Sequence, residues 1–187
     1  MGRIPVFFAT TEGQTRRIAE TIASVLREEG FDSEAIDLAN AQPPRWLDIT
    51  SAVVGASIHG SRHQREARAF VVREARHLNA RPSAFFSVSL SAGSRNPSEV
   101  DAARGLASAF AQATGWTPRR SACFPGKLAY TQYGFLKRWL MRRIAQKEGA
   151  PTDTSRDFEF TNWTAVRAFA HTVAADARDM ARARAAS

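Results

Sequence analysis

Val6-Phe7-Phe8-Ala9-Thr10-Thr11-Glu12-Gly13-Gln14-Thr15 takes the chain from an apolar run straight into a helix. Spacing predicts the helix: within Gln14–Glu29, Ile18, Ile22, Val25 and Leu26 share one face, and Gly30 ends it. The loop between them, Thr10–Thr15, is an anion site by position. Amides at a helix N-terminus point outward with the dipole behind them and need no cationic side chain. Three threonine hydroxyls add donors, and Gly13 lets the backbone approach closely. An ordinary Thr/Gly turn has the same composition, so the loop alone supports a phosphate site and no more. Neither G-x-x-x-x-G-K-S/T nor G-x-G-x-x-G occurs in the chain.

Outward from this stretch, strands alternate with helices. Ile4–Ala9 is the first strand, Ser33–Leu38 the second, and Ala52–Ile58 the third, continuously apolar as a strand covered on both faces must be. Ala84–Leu90 and Ser121–Phe124 are the fourth and fifth. Helices are predicted over Arg65–Asn79, Ser98–Thr114 and from Trp163 onward, with the Ala/Arg tail from Ala181 fraying. The pattern predicts an α/β, doubly wound, five-stranded parallel sheet of order 2-1-3-4-5, in one domain spanning 1–187. Its ligand site belongs at the carboxyl ends of strands 1 and 3. Pro5 has no ladder N–H, so it fits a central strand only near the strand's start.

Composition narrows the classes. With 187 residues, 44% hydrophobic and 24% charged, the chain reads as an ordinary globular protein. A lone cysteine, Cys123, excludes an internal disulfide framework and reads as a small buried hydrophobe. No signal peptide, membrane span, Ser/His/Asp set or metal-ligand spacing is visible, and the chain reads as cytoplasmic. The net charge of +8 is local: eight basic residues and no acid lie between Trp116 and Lys147, and the remainder balances at 18 against 18. Such a concentration implies an anionic partner, whether nucleic acid, anionic lipid or an acidic small molecule.

The run Val6–Ala23 resembles the phosphate loop and first helix of flavodoxins, with Thr10, Gly13 and Thr15 matching T-x-T-G-x-T and Glu12 in place of the middle threonine. That departure, with Glu12-Gly13-Gln14-Thr15-Arg16, resembles the menaquinone-dependent protoporphyrinogen IX dehydrogenases. The similarity continues at Gly55-Ala56-Ser57-Ile58, Arg81–Val88, Gly115-Trp116-Thr117-Pro118, Thr152–Arg156 and Phe160-Thr161-Asn162-Trp163. The resemblance implies FMN as cofactor, oxidation of protoporphyrinogen IX to protoporphyrin IX in haem biosynthesis, and electrons passed to a membrane quinone, menaquinone or ubiquinone. It implies flavin contacts from Thr10, Thr11, Glu12, Gly13, Gln14 and Thr15, from Ser57, Ile58, His59 and Gly60, and from Leu90, Ser91, Ala92 and Gly93. Chemistry then belongs to the cofactor, and no catalytic acid or base is named. Gly60 stands where the family carries an aromatic, usually tyrosine. Ring stacking is therefore lost from this loop or passes to His59 or His63, and His63 reads as a plain exposed residue.

Residues 127–149 form a long excursion before the last helix. Phe135, Leu136, Trp139, Leu140 and Ile144 share half of a helical wheel opposite Lys137, Arg138 and Arg142, with Arg143 on the apolar side. A basic helix of this kind suits the anionic inner face of a cell membrane, or packs on the domain with a solvated face. Lys127, Tyr130, Tyr133, Arg138, Trp139, Arg142 and Arg143 are the candidate substrate and membrane contacts, the arginines pairing with the two porphyrinogen propionates. Competing readings are an electron-carrier flavodoxin, a generic quinone reductase, and a flavin-free basic module for lipid or nucleic acid. The porphyrinogen reading expects no nucleic-acid partner.

Overall fold

In the computed structural model, which describes residues 2–128, 130–132 and 153–186, alternation within each strand splits the core into two layers. Strand β1 (Val6–Ala9) is buried throughout. Val6 and Phe8 face one layer, while Phe7 and Ala9 face the other. The same two-residue period divides β3 (Ala52–His59) and β5 (Ser83–Ser89): Val53 and Phe86 go one way, Val54 and Phe85 the other. Between them in sequence lie β2 (Ala35–Asp37) and the two-residue β4 (Arg62–His63), and after them β6 (Arg120–Pro125). The parallel sheet runs β2-β1-β3-β5-β6, the predicted order once the five long-range strands are counted. Two features were not legible: β4 pairs back on β3, and β7 (Lys127–Leu128) pairs antiparallel with β8 (Phe158–Glu159) in a separate small sheet.

Helices α1 (Gln14–Glu28) and α4 (Trp163–Ala185) cover one face through Ile18, Ile22, Leu26, Val166, Phe169 and Val173. Helices α2 (Arg65–Asn79) and α3 (Pro97–Thr114) cover the other through Phe70, Val71, Leu78 and Phe110. The tail expected to fray from Ala181 stays helical to Ala185, in keeping with the strong helix propensity of Ala and Arg. Pro5 lies just before β1. Its carbonyl accepts from Val53 N (3.0 Å), and its neighbours Ile4 and Val6 donate to Asp32 and Glu34 carbonyls (2.8 and 2.9 Å). Its missing N–H falls outside the strand.

Two acids from later in the chain reach the basic segment. Asp176, only 6% exposed, receives two hydrogen bonds from Arg120 (2.7 and 3.0 Å) and an ion pair from Arg119 (3.1 Å). The Arg120 hydrogen bonds hold its carboxyl below the usual range. Asp157 pairs with Lys127 at 2.8 Å. Three of the eight clustered cations thus pair with two tertiary carboxylates, which offset two of their charges. The other five (Lys137, Arg138, Arg142, Arg143 and Lys147) lie outside the described residues.

Candidate functional site

The first turn of α1 is left open. Gly13, at φ 85°, occupies the N-cap position with no side-chain cap on the helix amides behind it. Its own N–H donates to Thr10 Oγ1 (3.0 Å), curling the loop back on itself. Thr15 is 1% exposed, and its hydroxyl has no hydrogen-bond partner among the described residues. A buried hydroxyl left unpaired costs about 1–3 kcal/mol, and one on a residue that lines a helix N-terminal pocket fits an anionic ligand oxygen.

That terminus opens into a cavity of about 440 Å³ at the carboxyl ends of β1, β3 and β5. Its volume is in the range of small-molecule sites. Thr10, Glu12, Gln14 and Thr15 line it from the first loop, Ser57, Ile58, His59 and Gly60 from the second, and Leu90 and Ser91 from the third. Lys127 stands with them. The three loops predicted from sequence therefore meet around one space. Val88 of β5 and Ala102, Ala103 and Leu106 of α3 add an apolar wall, which sequence reading missed because which face of α3 meets the third loop is set by tertiary packing.

Some predicted residues are elsewhere. Thr11 is outside the lining, with its hydroxyl toward Gln64. Ala92 and Gly93 fold into the 3-10 turn Ser91–Gly93, where Ala92 N donates to Ser89 Oγ (3.1 Å) and Gly93 N to the Leu90 carbonyl (3.0 Å). Gln14 does line the cavity, yet its amide nitrogen donates to Glu159 (3.1 Å) and Thr161 (2.8 Å), anchoring β8 to the start of α1. Tyr130 is buried, with its ring 6.3 Å from that of Phe158, and is not among the described residues that line the cavity. Tyr133, Arg138, Trp139, Arg142 and Arg143, and with them the amphipathic helix, lie outside the described residues. Cys123 is half-buried with its Sγ 3.9 Å from the Ala103 carbonyl, and burial pushes its thiol up.

The second loop is a hairpin. Ile58 pairs with His63 and His59 with Arg62, leaving Gly60 and Ser61 as a two-residue turn at φ 54° and 61°. Consecutive left-handed residues suit a tight hairpin, and a bulky side chain at Gly60 would be strained in this conformation. His63 is not the exposed residue expected. Its ring packs on Phe85 and Phe110 (5.4 and 4.7 Å), and Nε2 lies 2.9 Å from Ser87 Oγ. Burial pushes its pKa down to about 4. The unfolded chain then binds the proton first, so stability is full above about pH 6.5 and is lost as pH falls toward 4. Denaturant titrations should show a loss of roughly 2–3 kcal/mol across that window. His63→Gln should flatten the slope, and an unchanged slope would assign it to other groups.

Comparison with known proteins follows this geometry. A flavodoxin domain model matches residues 5–155. A protein of Escherichia coli strain K12 named protoporphyrinogen IX dehydrogenase (quinone) is 34% identical over 170 residues, 90% of this chain and 93% of that one. One of the same name from Leishmania major is 30% identical over 171 residues, 91% of this chain and 74% of that one. The chain belongs to the flavodoxin-like protoporphyrinogen IX dehydrogenase family. It is a flavodoxin-like oxidoreductase, and a flavin is the class of cofactor its domain carries. Flavodoxins from the domain Archaea and from Streptococcus pneumoniae TIGR4 superpose with TM-scores of 0.52 and 0.57, each at 13% identity. They cover 94% and 96% of this chain, and 99% of each of those chains is matched. At that identity they show the fold alone. No helix among the described residues is long and apolar enough to cross a membrane.

Proposed function

We propose that this chain, acting as one domain over residues 1–187, holds FMN in the 440 Å³ cavity and oxidises protoporphyrinogen IX to protoporphyrin IX. Electrons go to a membrane quinone, menaquinone or ubiquinone, in the haem pathway. The buried, unpartnered Thr15 hydroxyl at an uncapped helix N-terminus carries this reading, because a flavin phosphate supplies the acceptor it lacks. When bound, FMN supplies the redox chemistry, accepting hydrogen from the porphyrinogen and delivering electrons to the quinone.

The chain's own residues bind and orient. Thr10 and Thr15 hydroxyls, with the first amides of α1, hold the phosphate. Backbone at Ile58–Gly60 and Leu90–Ser91 brackets the ring, and Ala102, Ala103 and Leu106 exclude water behind it. Lys127, its charge balanced by Asp157, stands at the cavity where an acidic substrate enters. The basic helix expected within residues 127–149 docks the chain on the inner face of the cell membrane, each basic group contributing about 1 kcal/mol there.

The purified protein should be yellow, with flavin absorption that is lost on extraction of FMN. Anaerobic incubation with protoporphyrinogen IX and a menaquinone analogue should raise porphyrin fluorescence well above the uncatalysed rate. Colourless protein that takes up no FMN sinks the cofactor reading. Flavin-loaded protein that produces no porphyrin sinks the substrate reading.

A further inference from the structure

We infer that Gln64 sets the hydrogen-bond polarity of the flavin pocket, holding the Ser57 hydroxyl so that it donates to the bound ligand. Gln64 sits at the N-cap position of α2, where a polar side chain ordinarily caps its own helix. It makes no such bond. Its carboxamide reaches the other way, to two loops of the cavity. Oε1 accepts from Ser57 N (3.0 Å), while Nε2 donates to Ser57 Oγ (2.5 Å) and Thr11 Oγ1 (2.9 Å).

The direction of these bonds is fixed by chemistry. A backbone N–H can only donate, so the carboxamide oxygen must face Ser57 N. The NH₂ group then faces both hydroxyls, and both must accept from it. A hydroxyl has one proton. Since Ser57 Oγ already accepts from Gln64, its proton points elsewhere, and Ser57 lines the cavity. Ser57 thereby becomes a pocket donor aimed at a ligand acceptor. The same carboxamide ties Thr11, between the two lining residues Thr10 and Glu12, to Ser57 on the neighbouring loop. His63 beside it is pinned to Ser87 on β5, which steadies the backbone from which Gln64 reaches. Gln64 is therefore a positioning residue: it acts through Ser57 and does not line the cavity.

This inference rests on the flavin reading, and two variants separate it from a merely structural bridge. Gln64→Glu keeps the shape and still accepts from Ser57 N, but a carboxylate has no proton to give. Above pH 7 it draws both hydroxyl protons toward itself and turns the Ser57 lone pairs into the cavity. Gln64→Met removes the bridge and leaves the Ser57 hydroxyl free to rotate. FMN titrated into the FMN-free full chain at pH 8 should bind about tenfold or more weakly to the Glu variant, with the Met variant between it and the parent. In a Ser57→Ala background the Glu substitution should change affinity less than about threefold. A structural bridge predicts the reverse order, with Glu close to parent and Met weakest, and that order overturns the proposal. So does an undiminished Glu effect in the Ser57→Ala background. A parent chain that takes up no FMN overturns the flavin reading and this inference with it, whereas parent uptake with a parent-like Glu variant overturns the inference alone.

Discussion

Thr15→Val is expected to weaken FMN binding by roughly tenfold to a hundredfold while leaving the FMN-free protein at least as stable as the parent. The two effects have opposite signs because the hydroxyl has no hydrogen-bond partner among the described residues, and the proposed phosphate would supply one. Valine has nearly the same shape, so the buried site stays filled. Removing an unpaired buried hydroxyl relieves up to about 1–3 kcal/mol of desolvation cost. A hydrogen bond to a charged phosphate is worth about 1.5–3 kcal/mol, and each 1.4 kcal/mol is tenfold in affinity. Flavin titration and thermal melts with and without FMN check both sides. Equal loss of stability and affinity would make Thr15 a structural hydroxyl, and unchanged affinity would remove the phosphate from this loop.

Gly55→Ala should be among the most damaging single-atom-scale changes in the sheet. Gly55 pairs across from Phe86, whose ring lies over it. A Cβ at Gly55 would sit 2.0 Å from Phe86 Cζ and 2.4 Å from both Cε atoms. Phe86 is fully buried and packs against Phe124 (ring centroids 6.1 Å apart), so it has nowhere to go. Overpacking costs about 1–3 kcal/mol where side chains can shift, and this site belongs at or above the top of that range. The damage also reaches function, since β3 ends in the Ser57–Gly60 loop. Chemical denaturation should show the loss, and adding Phe86→Leu should restore part of it through favourable coupling between neighbours. A Gly55→Ala protein within about 0.5 kcal/mol of the parent would mean that the ring swings aside.

The sequence by itself determined the strand order, the helix faces and the meeting of three loops. The first two follow from local periodicity, and the meeting of the loops from the family resemblance together with the rule that ligands gather where strands of a parallel sheet end. It named Thr10, Thr11 and Thr15 alike, because nothing in a short motif distinguishes three hydroxyls. Only the tertiary structure did so. Thr10 accepts from Gly13, Thr11 turns to Gln64, and Thr15 alone of the three is left buried and unpartnered. The acids Asp157 and Asp176 that pair with Lys127, Arg119 and Arg120 come from 30 to 57 positions away, beyond any window of charge counting. His63 looked exposed because its hairpin is polar in sequence, yet the ring is enclosed by Phe85 and Phe110 from two other elements. Periodicity reports which face of an element turns inward. The partner that each buried polar atom finds is set by the packing of elements far apart in the chain, and so it is read only from the folded molecule.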